Sequence, residues 1–563
     1  MRRRTRTAGL ALGASATLAL SLAVPAVAAR TAPIRHVLLL SADGMHQSDL
    51  QWYVDHHPAS ALARLVARGV QYTNAQTPVP SDSFPGMVAQ VTGGNPSSTG
   101  VFYDDSYNRR LLPAGTARCA GVTAGTEVAY TESADRDPAA IDAGQGLPGL
   151  PDGVLAMTPH PASLLNPTVL PVSPTTCRPV YPHQYLKVNT VFEVAKAHGL
   201  RTAWADKHPA YDILNGPSGH GIDDLFTPEI NSAAPAAYTD ITGAPGDWTS
   251  NNFATRQYDH YKVRGVLNEI DGLDHSGRRR AGVPGVFGMN FQTISTAEKL
   301  PSSVDPSTGK FYAGGYLADD RTPGPLLRSA LDWLDGQIGR LTAEIARRGL
   351  TASTAIIFSA KHGQSPTQPA DLTRLDDGTI LDGLNAAWKS AGHPADLVAF
   401  AVDDDIMLLW LSDRSAAATS FATGYLLQHP ATGTTYNRAD PNAAGPPRTL
   451  RHSGLRALYA GAQAASYFGA GPADPRRPDV VGLVQHGVVY TGGTRKIAEH
   501  GGADPQDRSV PLLVIAPGLH RGLRENRTVE TTAIAPTILA LLGLHPRELE
   551  SVRIEGTPTL PRL

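Results

Sequence analysis

Polar side chains that can do chemistry recur where apolar strands of the chain are expected to end. Asp43 follows the run HVLLLSA, Lys361 and His362 follow TAIIFSA, and His500 comes shortly before SVPLLVIAP. Each of these residues alone is more often a helix cap or a structural group than a ligand. Together, a carboxylate and two imidazoles at strand ends indicate metal-assisted phosphoryl transfer, with a divalent cation as cofactor and a small phosphorylated substrate.

Ser83 is the candidate nucleophile. It stands directly before Phe84 and Pro85, at the start of the predicted helix FPGMVAQV. Proline in the first helical turn with serine before it is an N-cap pattern, so a plain capping serine is the simplest interpretation. The same position offers the hydroxyl free backbone N–H groups and a positive helix end, which favour its alkoxide and bind phosphate-like anions.

Apolar strands alternate with amphipathic helices along most of the chain. The clearest strands are HVLLLSA, RTAWAD, TAIIFSA and SVPLLVIAP, and helical segments such as TVFEVAKAHGL and LLRSALDWLDGQIGRLTAEIARRGL separate them. This alternation predicts an α/β fold, a central, mostly parallel sheet with helices on both faces. Ligand sites in such sheets lie beyond the carboxyl ends of the strands, where the polar residues described above are found.

Two regions interrupt the alternation. Residues 104–185 are rich in Pro, Gly, Ala and Thr and contain both cysteines, which predicts a loop-rich insertion. Residues 397–490 contain the short strand candidates DLVAFAV, IMLLWL and VVGLVQHGVVY, which predict a smaller β-containing subdomain. We expect both to belong to one catalytic domain over residues 30–545, followed by a C-terminal tail over 546–563.

Residues 1–29 have the pattern of a secretory signal peptide. A basic start, MRRRTRT, is followed by an apolar stretch and by the small-residue run AVAA. No later segment has an apolar run long enough to cross a bilayer, so we expect a secreted protein, extracellular or in the cell envelope, without a membrane anchor after cleavage. In an oxidising compartment Cys119 and Cys177 can form a disulfide.

The composition limits the partners of the protein. The chain has 563 residues, 49 Lys+Arg against 51 Asp+Glu, a formal net charge of −2 and a hydrophobic fraction of 41%. That apolar fraction excludes a disordered chain, and the near-zero charge gives no basis for binding nucleic acid or an anionic membrane. Only nine of the basic residues are lysines, against forty arginines. The oligomeric state is not indicated.

In sequence, the motifs resemble the type I phosphodiesterase and nucleotide pyrophosphatase branch of the alkaline phosphatase superfamily. The matching blocks are LLLSADGM, SFPGMVAQVTGGNPSSTGVFYD, SAKHG, and HGG followed by VPLLVIAPG. The resemblance implies an alkaline-phosphatase-like fold and hydrolysis of phosphate mono- or diesters with two divalent metals, usually zinc. It further implies that Ser83 is the nucleophile, that Asp43, Ser83 and His362 bind one metal, and that His500 binds the other.

The chain departs from the family at four expected positions. The family has Asp where Lys361 stands, and Asn where Gly86 stands. It also has an Asp followed four positions later by a His after a central strand, and aligning that strand with GVFGMNF assigns these positions to Ser295 and Lys299. We therefore expect one metal ion rather than two, zinc by the resemblance, with Lys299 and Lys361 supplying positive charge to the reaction.

Several alternatives stay open at this point. A second metal site is conceivable from other residues: Asp206, Lys207 and His208, or Asp319 and Asp320. Asp271 and His275 have the family spacing but precede the strand, so we interpret them as a surface loop pair. A sulfatase needs Cys or Ser followed by xPxR, and SFPGM lacks the Arg. The remaining alternative is a catalytically weakened family member that binds a phosphorylated or glycan ligand.

Overall fold

The computed structural model of the protein describes residues 33–319, 321–437, 439–440, 442–519 and 521–563. The predicted signal peptide, residues 1–29, lies outside the described residues. Within the described part of the chain, no helix combines the length and the apolar character needed to cross a membrane.

The described strands are short and mostly buried. Their bounds are β1 His36–Ala42, β2 Val70–Tyr72, β3 Ala75–Gln76, β4 Asp105–Asn108, β5 Thr126–Ala129, β6 Ala203–Ala205, β7 Asp224–Phe226, β8 Val286–Phe291, β9 Ser302–Val304, β10 Phe311–Ala313, β11 Thr354–Ser359, β12 Thr373–Leu375, β13 Val398–Asp403, β14 Ile406–Leu411, β15 Ala431–Tyr436, β16 Ala444–Leu450, β17 Leu455–Ala460, β18 Val480–Val484, β19 Val488–Tyr490, β20 Ser509–Val510, β21 Leu513–Ile515, β22 Leu523–Glu525 and β23 Val529–Glu530.

The α-helices lie between these strands. Their bounds are α1 Gln47–His56, α2 Ala61–Arg68, α3 Ser83–Thr92, α4 Pro96–Thr99, α5 Pro182–Tyr185, α6 Val191–Ala197, α7 Asn252–Ile270, α8 Thr293–Lys299, α9 Pro325–Arg347, α10 Asp377–Ser390, α11 Ala416–Gln428, α12 Ala462–Tyr467, α13 Pro505–Arg508, α14 Ile534–Leu541 and α15 Glu550–Glu555.

Eight strands form the central sheet, in the order β22-β2-β21-β11-β1-β8-β6-β7. β1 pairs in parallel with β11 on one side and with β8 on the other, and within this sheet only β21 runs antiparallel to its neighbours. Val37, Leu38, Leu39 and Leu40 of β1 are buried, as expected of a strand that helices cover on both faces. The predicted α/β fold with a mostly parallel sheet is confirmed.

Helices pack on the sheet in two groups. α2, α7 and α8 each contact α9, whereas α3 and α6 both contact α14. β8 touches α7 from the first group and α6 from the second. The strands β11, β1, β8 and β6 run parallel between these helices. The loops beyond their carboxyl ends therefore lie at one edge of the sheet, and the candidate site lies at that edge.

The two irregular regions take different forms. Between residues 104 and 185, β4 and β5 form an antiparallel pair, and a disulfide joins Cys119 to Cys177 with their Cα atoms 5.8 Å apart. Between residues 397 and 490, β13, β14, β18 and β17 form a four-stranded antiparallel sheet. The last residues do not form the separate tail that we expected, because Leu549, Val552 and Leu560 are buried in the main core.

Candidate active site

Ser83 is the first residue of α3, and the residue before it does the capping. The Asp82 carboxylate accepts a hydrogen bond from the Phe84 backbone N–H at 3.0 Å. The interpretation of Ser83 as a plain cap is therefore wrong, since its hydroxyl is available for other contacts. Ser83 is buried at 1% exposure, so its neighbours, rather than bulk water, set its reactivity.

Two side chains lie within hydrogen-bond distance of the Ser83 hydroxyl. His362 Nε2 is 3.1 Å from Ser83 Oγ, and Lys207 Nζ donates to the same oxygen at 3.0 Å. The other ring nitrogen, Nδ1 of His362, is 2.9 Å from the Gly363 carbonyl oxygen, which assigns the ring hydrogen to Nδ1. Burial, with the charges of Lys299 and Lys207, lowers the pKa of His362 to about 3, so Nε2 carries a lone pair that faces the hydroxyl.

Asp43 lies at the centre of the site, directly after β1. Its Oδ2 atom accepts hydrogen bonds from Gln292 Nε2 at 2.5 Å and from Asn290 Nδ2 at 3.1 Å. Lys361 Nζ, Lys207 Nζ and His362 Nε2 lie 3.9, 4.0 and 3.8 Å from the same oxygen. Burial alone would raise the pKa of Asp43, but these basic groups hold it well below its usual range. Oδ1 is buried without a hydrogen-bond partner among the described residues.

Lys361 is fully buried behind the site. Its ammonium donates to Asp206 Oδ1 at 2.9 Å and to the Tyr211 hydroxyl at 2.7 Å. Asp206 also accepts from the Trp204 indole at 2.9 Å and from the Lys207 backbone N–H at 3.0 Å. Both Asp206 oxygens are thus engaged, so this carboxylate neutralises Lys361 and is not free to bind a metal.

Among the described contacts, neither His208 nor Asp319 forms a hydrogen bond or ion pair with Asp206. His208 Nδ1 is 2.8 Å from Glu229 Oε1, in a separate buried pair. Asp319 is exposed and accepts hydrogen bonds in its own turn, and Asp320 lies outside the described residues. The sequence left Lys207 only as a member of this alternative, whereas the structure brings its ammonium to Ser83.

His500 lies on the far side of His362. The two imidazole rings have centroids 3.8 Å apart, and His500 Nδ1 is 3.3 Å from Asp82 Oδ1. Burial lowers the pKa of His500 and raises that of Asp82, so neither group favours its charged form. The structure therefore brings Asp43, Ser83, Lys361, His362 and His500 together at one edge of the sheet.

Neither Ser295 nor Lys299 has a hydrogen bond or ion pair with Asp43 or Ser83 among the described contacts. Lys299 Nζ pairs with Glu499 Oε2 at 2.6 Å, and Ser295 Oγ donates to Gln364 Oε1 at 2.6 Å. Gln292, the first residue after β8, donates a hydrogen bond to Asp43 instead. The expected Asp position therefore fits Gln292 better than Ser295, and the His position, four residues on, fits Thr296.

The pair Asp271 and His275 is also not as expected. His275 is buried, stacks on Phe226 with ring centroids 4.7 Å apart, and pairs with Asp224. Asp271 instead pairs with Arg347 at 2.7 Å. His275 is therefore a structural histidine of the core, and the surface-loop interpretation is wrong for it.

The donors around Ser83 do not fit the two dications that the resemblance implies. The first metal position retains the expected donors Asp43, Ser83 and His362 but has Lys361 where the family has a carboxylate. The second metal position retains His500 alone, because Gln292 and Thr296 stand where the family has Asp and His. Zinc in proteins takes three or four N, O or S ligands, so the second position falls short, and at the first position the protonated Lys361 cannot serve as the fourth ligand. Among the described residues, the group of three metal-capable side chains within 4.8 Å of one another is His46, Asp49 and Glu298.

Known proteins share both the sequence pattern and the fold. A sequence profile of the family described as type I phosphodiesterase / nucleotide pyrophosphatase matches residues 37–504. No curated protein sequence matches the chain. Murine ectonucleotide pyrophosphatase / phosphodiesterase 5 (ENPP5) has a similar structure, with a TM-score of 0.51 and 11% identity over 91% of this chain and 96% of that one.

Two further solved structures are similar. An inactive form of murine ENPP5 in complex with AMP has a TM-score of 0.51 and 12% identity over 91% of this chain and 96% of that one. The alkaline phosphatase PafA has a TM-score of 0.57 and 12% identity over the same shares of the two chains. At such identities the structures establish the shared fold, and the predicted alkaline-phosphatase-like architecture is confirmed.

Proposed function

The chain belongs to the type I phosphodiesterase / nucleotide pyrophosphatase family of phosphoric ester hydrolases, and we propose that it acts through a phosphoseryl intermediate on Ser83. The observation that carries this proposal is the pair of contacts on Ser83 Oγ, from a neutral imidazole at 3.1 Å and an ammonium at 3.0 Å. A hydroxyl between a base and a cation can lose its proton to the first while the second stabilises the charge that develops.

The reaction follows from the side chains of this chain alone. Ser83 Oγ attacks phosphorus in line with the leaving oxygen, and its proton passes to His362 Nε2. The imidazolium that forms lies 3.8 Å from Asp43 Oδ2, which stabilises it. The leaving oxygen takes a proton as it departs, and water then hydrolyses the phosphoseryl ester by the reverse sequence.

Lys361 and Lys299 have indirect roles in this proposal. Lys361 holds a fixed positive charge 3.9 Å from Asp43, at the position where the family has a ligand carboxylate. Burial lowers the pKa values of His362 and His500, and the charge of Lys299 adds to this effect, so that both imidazoles stay neutral. Because two dications do not fit the donors, the positive charges around Ser83 in this mechanism come from lysine side chains.

The substrate and location belong to the same proposal. A buried hydroxyl at one edge of the sheet suits a small phosphate ester better than a polymer. AMP in the murine ENPP5 complex is such a molecule, and we extend that class to this chain. We also propose that the signal peptide over residues 1–29 directs export of the protein. The disulfide between Cys119 and Cys177 accords with an oxidising compartment outside the cytoplasm.

Turnover of p-nitrophenyl phosphate and bis-p-nitrophenyl phosphate tests the proposal. We expect hydrolysis of at least one of them, with loss of activity in Ser83→Ala and an unchanged circular dichroism spectrum. Silence of the folded protein on both esters, combined with binding of phosphate, would favour the alternative of a weakened family member that only binds its ligand.

A further inference from the structure

One group at the site has no place in the chemistry that the resemblance implies. Lys207 follows β6 and extends its ammonium to within 3.0 Å of Ser83 Oγ and 4.0 Å of Asp43 Oδ2. The metal ion that the resemblance implies at this position would contact that same hydroxyl oxygen and the Asp43 carboxylate. Lys207 thus brings a positive charge to the two atoms on which such an ion would act.

We propose that the Lys207 ammonium replaces the metal ion at Ser83, so that phosphoryl transfer proceeds without a bound dication. This inference rests on the proposed function, because it concerns the group that assists the Ser83 nucleophile. The inference adds a catalytic residue and a cofactor requirement to the proposed function, and both differ from those of the family.

The surroundings hold Lys207 in place and keep it charged. Its backbone N–H donates to Asp206 Oδ1 at 3.0 Å, and Asp206 is itself fixed by Lys361 and by the Trp204 indole. Burial works against the charged form, but the carboxylates of Asp43 and Asp206 favour it, and the pKa of the ammonium is raised. The side chain is 14% exposed, which leaves it access to an incoming phosphate.

The charge balance also argues against an added dication. Two ammonium groups, from Lys207 and Lys361, already lie within 4.0 Å of Asp43 Oδ2. Asp43 and Asp206 already balance the charges of the two ammonium groups, so a zinc ion held by Asp43, Ser83 and His362 would place two uncompensated positive charges beside both lysines. Repulsion at such distances in a buried site amounts to several kcal/mol at an effective dielectric constant of about 20.

The Ser83 and His362 geometry supplies what a metal would otherwise provide. Zinc lowers the pKa of a bound hydroxyl, whereas a site without zinc needs a base. His362 Nε2 faces Ser83 Oγ at 3.1 Å, and Nδ1 is oriented by the Gly363 carbonyl at 2.9 Å. A bound phosphate adds negative charge beside this ring and so increases its basicity.

The reaction balances with these groups. In the first step the Oγ–P bond forms, the bond from phosphorus to the leaving oxygen breaks, and the Ser83 proton moves through His362 Nε2 to the leaving oxygen. In the second step water attacks phosphorus, the Oγ–P bond breaks, and the water proton moves through His362 back to Ser83. Lys207 keeps all its protons throughout and stabilises the negative charge on Ser83 Oγ and on a phosphoryl oxygen.

The test combines metal analysis with variants of the full-length mature protein. After dialysis against a chelator, we expect metal content well below one equivalent, unchanged turnover, and no gain on adding zinc. Lys207→Met should lower kcat by about 100-fold or more, which is the usual effect of removing one charge-stabilising donor. Methylammonium should restore part of that loss and zinc should not. The matched control is Lys196→Met, a surface lysine paired with Asp223 at 2.7 Å, which should behave as wild type.

The possible failures separate the two proposals. The role of Lys207 would be overturned if the protein held a tightly bound metal whose removal abolished turnover and whose addition restored it. That result would leave the phosphoseryl mechanism intact. Absence of turnover in every preparation would overturn the proposed function. Calorimetry with inorganic phosphate then decides the role of Lys207: at least 10-fold weaker binding to metal-free Lys207→Met would support it, and equal binding would refute it.

Discussion

Lys361 and Asp206 form an ion pair in the interior of the protein, with Nζ 2.9 Å from Oδ1 and both side chains at 0% exposure. The lysine stands where the family has a metal-binding carboxylate, and its partner comes from the end of β6, two strands beyond β1 in the sheet. This pair therefore converts a ligand position into a fixed positive charge whose counter-ion comes from the end of another strand of the same sheet.

Breaking this pair should cost stability. Lys361→Met leaves the Asp206 carboxylate buried without its cation, so we expect the free energy of unfolding to fall by about 3 kcal/mol or more. The double variant Lys361→Met with Asp206→Asn should recover a large part of that loss, because no unpaired charge stays buried. Urea unfolding of the two single variants and the double variant measures the coupling. Strictly additive losses would show that the two side chains do not act as a pair.

Ser83→Ala should abolish turnover without affecting folding. The hydroxyl is the atom that attacks phosphorus, so we expect kcat to fall by a factor of about 10³ or more. The control is Ser81→Ala, since Ser81 Oγ donates to the Asp507 carbonyl at 2.6 Å and has no role in the chemistry. That variant should lose about 1 kcal/mol of stability and keep most of its activity. The opposite result, activity lost with Ser81 and kept with Ser83, would assign the nucleophile to Ser81.

Much of the site was predictable because it follows from strand ends. Asp43, Lys361 and His362 come directly after long apolar strands, and parallel pairing of β1 with β11 necessarily brings them together. Lys207 follows a strand of three residues, β6, after which the direction of a side chain cannot be read from the sequence.

The family motif after β8 was harder to place. The contact of Gln292 with Asp43 favours Gln292 and Thr296 for this motif, three residues before Ser295 and Lys299 and nearly one turn of α8 away. Residue spacing along the predicted helix did not exclude the alignment onto Ser295 and Lys299. The position directly after β8 was the signal that would have found Gln292, as it found Asp43 after β1.

Stability should decrease between pH 5 and pH 8 because of a buried carboxyl pair. Asp405 and Asp507 lie close together near the Ser365 hydroxyl, and burial together with Asp504 raises the pKa of Asp507 to about 7. A carboxyl whose pKa is higher in the folded than in the unfolded protein stabilises the fold at low pH. That stability is lost as the pH rises through the folded value.

Asp507→Asn isolates this effect. The neutral amide removes the titration, so the variant should lose less stability than wild type between pH 5 and pH 8 in urea unfolding. Asp319→Asn, at an exposed turn, is the control and should follow wild type. Parallel pH profiles for wild type and Asp507→Asn would contradict the assignment.

The disulfide should protect the insertion. Cys119 and Cys177 are 58 residues apart, and closing a loop of that length stabilises by about 4 kcal/mol in the chain-entropy model. In Cys119→Ser with Cys177→Ser, we expect faster proteolytic cleavage within residues 104–185 than in wild type. The same cleavage sites and rates in both proteins would show that packing alone holds this region.

Rapid-quench mass spectrometry is the most direct test of the central claim that Ser83 carries the phosphoryl group. Chelator-treated protein is mixed with p-nitrophenyl phosphate, quenched in acid during turnover and digested. We predict a phosphoryl adduct on the peptide that contains Ser83, formed in the metal-free protein and absent in Ser83→Ala. Turnover with no adduct, or an adduct on another residue, would contradict the mechanism.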